Sequence, residues 1–94
     1  MNKVTLRVSN YIDDSNFYKN TLLEAEKFYK VLKETNADVY EIDFDGLAYL
    51  HGYFFNESIG KFMKEGHTCE FINVDKLDKG YLDVLKERLF PKNV

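Results

Sequence analysis

The chain has 94 residues, 45% hydrophobic and 31% charged, with 13 basic and 16 acidic side chains and a formal charge of −3. That length supports one domain with a core of its own, and the composition argues against disorder. Basic residues are scattered rather than clustered, which argues against phosphate-backbone binding and so against nucleic acid as a partner.

Aromatic residues are plentiful, with eight Phe, seven Tyr and no Trp. Phe in that number lets a small core be stable without covalent staples. The single cysteine, Cys69, has no internal partner, and a lone thiol suits a reducing compartment. The opening MNKVTLRVSN alternates instead of forming an apolar run, and no stretch approaches 18 consecutive apolar residues. The expectation is a cytoplasmic protein with no membrane span and one domain over residues 1–94.

In chain order, Val4, Leu6 and Val8 alternate with Thr5 and Arg7, predicting a strand with one buried face. Asp13, Asp14 and Ser15 offer N-cap oxygens for a helix from Asn16 to about Thr35. Its apolar stripe reads Tyr18, Leu22, Ala25, Tyr29 and Leu32, widened by Phe17 and Phe28. Asn36–Asp38 is a turn. Val39 to Asp45 alternates again, with Tyr40, Ile42 and Phe44 opposite Glu41, Asp43 and Asp45.

The next passage, FDGLAYLHGYFFNESIG, contains a histidine, a glycine and three consecutive aromatics. Beyond it Phe55, Ile59, Phe62 and Met63 mark a short helix closed by Gly66 at the C′ position. Thr68 to Val74 reads as a third strand and Asp75 to Gly80 as a turn. Tyr81, Leu82, Leu85 and Leu89 mark a last helix ended by Pro91. The order β-α-β-α-β-α predicts a small α/β domain with a mostly parallel or mixed sheet. The acidic alternate face of the middle strand implies helices mainly on one face, with the other at least partly wet.

Glu41, Asp43 and Asp45 project the same way, as a shared hard cation would require. Such sites draw further oxygens from nearby loops, however, and acidic side chains also keep an open sheet face soluble and discourage edge pairing. No metal or cofactor is expected. His67 and Cys69 lie two apart on a strand, roughly 7 Å, too far for a base to activate a nucleophile. The turn at Gly52 lacks the several glycines of a phosphate cradle. These features point away from catalysis.

The segment EIDFDGLAYLHGYFFNESIGKFMKEG resembles the STAS-like domain family of unknown function, whose wider relatives are the STAS domains of anti-sigma-factor antagonists. The resemblance is densest over Val39 to Gly66, in DFDG at the strand end and NESIG in the helix. It implies a non-catalytic, regulatory binding module that docks a protein partner, such as a GHKL-type ATPase or kinase, around the N-terminus of the second helix. In the antagonists a serine or threonine at that N-terminus is phosphorylated, and the added charge releases the partner. Here His51, Gly52 and Tyr53 occupy the place, so the resemblance implies docking without the serine switch, and Ser58 falls about a turn further in.

The expected partner-binding set is His51, Tyr53, Phe54, Asn56 and Glu57, with Asp43 and Asp45 at the strand end. Phe54 or Phe55 is also expected to anchor the helix to the sheet. A second reading is a stand-alone inhibitor that occludes a larger enzyme or defence assembly through its acidic face. An uncovered sheet face or edge strand leaves a homodimer open.

Overall fold

The computed structural model of the protein describes residues 2–13, 17–47, 51–74 and 87, and for 17–20 the backbone only. The expected caps Asp14 and Ser15, the side chains of Phe17 and Tyr18, the turn Asp75–Gly80 and the helix Tyr81–Leu89 (but for Glu87) lie outside them.

The elements are β1 (Lys3–Arg7), a 3-10 turn (Val8–Asn10), α1 (Phe17–Glu34), β2 (Val39–Asp43), α2 (Gly52–Phe55), a π-helical turn (Asn56–Gly60), α3 (Lys61–Lys64) and β3 (Thr68–Ile72). The three strands form a parallel sheet in the order β1-β2-β3. Each step to the next strand crosses over through a helix, and right-handed crossovers stepping in one direction place their helices on the same face. α1 accordingly packs against α2, the π-helical turn and α3.

Period two decides which side chains meet those helices. Leu6, Val8, Tyr40, Ile42 and Phe44 point into the core with Ala25, Phe28, Leu32, Phe54, Phe55, Ile59 and Phe62. The alternate residues form a mainly polar ladder on the opposite face, in the registers Thr5↔Glu41↔Glu70 and Arg7↔Asp43↔Ile72, with Ile72 its apolar member. Lys3 closes the ladder at one end through Glu70 at 2.9 Å and Glu41 at 3.3 Å, while the Thr5 hydroxyl donates to Glu41 at 2.9 Å. These contacts, with Glu70 foremost, hold the Lys3 ammonium above its ordinary range.

Two features of α1 depart from the expected stripe. Phe28 is fully buried and sits at its centre, whereas Leu22 is 46% exposed and Tyr29 half-buried. Glu24, a charged residue, is buried. Its Oε1 accepts the Asp13 N–H at 2.7 Å and the Lys27 ammonium at 3.0 Å, so the carboxylate ties the incoming loop to the helix. Tyr29 instead faces the end of α3, where its hydroxyl donates to Glu65 at 2.6 Å. That bond raises the tyrosine's pKa and lowers that of Glu65.

At the amino end of the sheet, Asp38 and Val39 donate backbone N–H groups to the Asn2 carbonyl, fixing where β2 begins. Tyr40 reaches back to donate to the Thr35 carbonyl at 2.6 Å, which seals the end of α1. His67 stacks flat on Phe62, centroids 3.9 Å apart, with Tyr40 edge-on to Phe62. His67 therefore serves as a packing surface. Cys69 is half-buried on β3, and burial pushes its thiol up to about 12, so it holds its proton at neutral pH.

Candidate functional site

In parallel α/β sheets the carboxyl ends of the strands feed the loops that carry function. Here that end holds the expected site residues, split into two groups of different character.

The first group closes the sheet. β2 stops at Asp43 rather than running to Asp45. Asp43 points to the open face as alternation requires, yet it is only 6% exposed. Its Oδ1 accepts the Asn73 side-chain amide at 2.8 Å and the Asp45 N–H at 2.8 Å. Its Oδ2 faces the Arg7 guanidinium at 3.5 Å, and Arg7 also lies 3.6 Å from Asp45. The Asn73 amide is the main influence holding the Asp43 carboxyl below the ordinary range; burial opposes it, while the Asp45 N–H and Arg7 add to it.

Asn73 supplies that amide from a left-handed backbone, φ 57°, a conformation asparagine tolerates better than most residues. Gly46 turns the chain with φ 84°, and a Cβ there would lie 2.9 Å from the Ser9 hydroxyl oxygen, which donates to the Asp45 carbonyl. Ends of all three strands are thus tied through one carboxylate. Arg7, Ser9 and Asn73 were not among the expected site residues. The alternation of β1 places Arg7 on the same face as Asp43, and that was the available signal; Asn73 is 30 residues from Asp43 and had none.

The second group is the start of α2. His51 adopts an extended backbone at the N-cap, φ −83° and ψ 127°, and its Nδ1 accepts the Tyr53 N–H at 3.2 Å. An accepting Nδ1 assigns the ring proton of the neutral imidazole to Nε2. The next residues then divide. Tyr53 is 45% exposed, while Phe54 and Phe55 are fully buried. Phe54 packs on Phe28, and Phe55 on Phe71, each with ring centroids 6.0 Å apart. The two phenylalanines therefore pin a turn that presents one tyrosine.

Four of the expected contacts are wholly or partly enclosed. Phe54 cannot be a partner contact, because the core covers it entirely; it is the anchor. Asp43 is likewise sealed by Arg7, Asn73 and the turn. Asn56 and Glu57 lie partly buried inside a π-helical turn, where the Lys61 N–H reaches back five residues to the Asn56 carbonyl. Within it the buried Ser58 hydroxyl donates to the Phe54 carbonyl at 2.6 Å, a bond that competes with the helical ladder. Ser58 is thus enclosed and engaged. The Asn56 Oδ1 is buried and finds no hydrogen-bond partner among the described residues.

Of the expected set, His51 and Tyr53 lie together at the surface, Asp45 is half-exposed, and Asp43 and Phe54 are interior. Among the described residues no group of three or more His, Cys, Asp or Glu side chains is arranged to hold a metal ion, and no helix is long and apolar enough to cross a membrane. No family model, curated protein or solved structure matches the chain.

Proposed function

We propose that the protein is a STAS-like, non-catalytic binding module that docks a protein partner through the His51–Tyr53 turn, with no serine switch at the helix start. One observation carries this reading: Tyr53 stands exposed on a turn whose backbone is fixed by the His51 cap and by two fully buried phenylalanines. A rigid, exposed aromatic gives contact area at low entropic cost. The resemblance over Val39 to Gly66 favours the same surface, since it directs docking to the N-terminus of the helix after β2. A cytoplasmic setting suits the single cysteine, and a GHKL-type ATPase or kinase is the class of partner the resemblance favours.

The acidic-face alternative gains less support. A mimic of acidic ligands presents unneutralised carboxylates, whereas Glu41, Asp43 and Asp45 already face Lys3 or Arg7. The test is affinity capture from the native host on immobilised wild-type protein and on Tyr53→Ala, read by mass spectrometry. A specific protein retained by the wild type and lost from the variant supports the docking turn. Equal retention by both moves the contact elsewhere, and no specific retention by the wild type removes the docking reading.

A further inference from the structure

No further inference is drawn: the strongest candidate, the exposed apolar side chains of Tyr11 after β1, Leu22 and Leu23 on α1 and Tyr53 at the start of α2, carries nothing because nothing in the structure shows what covers them.

Discussion

The junction between β2 and α2 has two flanks, and they treat their polar groups in opposite ways. On the strand flank, Asp43 is buried and its oxygens are taken up by Asn73, the Asp45 N–H and Arg7. On the helix flank, His51 spends one nitrogen on capping and Tyr53 stands in solvent. Charge is therefore used to hold the sheet ends together, and an aromatic side chain is left available for contact. The carboxylate, the more suggestive chemical type, is structural here, and the proposed contact falls to the exposed tyrosine.

The largest expected effect comes from removing the anchor beneath the presented tyrosine. Phe54→Ala should cost about 3–5 kcal/mol in urea unfolding, as deletion of a fully buried ring does, and should release the turn. Tyr53→Ala, one residue away, should stay within about 0.5 kcal/mol of wild type. Similar losses for the two would erase the division between anchor and contact.

Asp43→Ala should cost about 2 kcal/mol, because it strands the Asn73 amide and the Asp45 N–H. The same carboxylate gives stability a pH dependence of known sign. Its pKa is lower in the folded protein than in the unfolded chain, so its stabilisation is complete above the ordinary carboxylate pKa of about 4 and drains as pH falls through the folded value. Asn73→Ala removes the largest cause of that lowering and should flatten this acid limb in melts recorded between about pH 2 and 6. An unchanged limb would mean that Asp43 is not the hub of the strand flank.

A smaller difference, between two glycine substitutions, separates backbone strain from crowding. Gly46→Ala meets both a left-handed backbone and the Ser9 hydroxyl, and should cost about 2 kcal/mol. Gly66→Ala meets the left-handed backbone alone, with nothing within 4 Å of the new methyl group, and should cost about 1 kcal/mol. Adding Ser9→Ala should relieve part of the Gly46→Ala loss and leave Gly66→Ala unaffected. Equal costs at the two glycines would show that the Ser9 contact does not constrain the turn.

Much of this architecture was legible from alternation and spacing: three strands, helical crossovers, one wet sheet face, and Gly66 closing α3 with φ 101°. What spacing could not resolve was which of two overlapping stripes on α1 faces inward. Ala25 and Leu32 belong equally to a stripe through Leu22 and Tyr29 and to one through Phe28, and only the position of Phe54 across the interface selects the second. Alternation assigned Asp43 to the open face correctly but said nothing of its burial, which depends on Asn73 folding over from beyond β3. The π-helical turn was equally hidden, and a serine inside a helix gives no sign of whether its hydroxyl will turn back on the ladder.

The proposed contact resides in Tyr53 and not in the charged sheet face. Its most direct test is calorimetric titration of the captured partner against wild type, Tyr53→Ala and the open-face double variant Glu41→Gln/Glu70→Gln. Tyr53→Ala should lose at least about ten-fold in affinity, and the double variant should change by less than about two-fold. Binding that survives in Tyr53→Ala and collapses in the double variant would contradict the proposed contact.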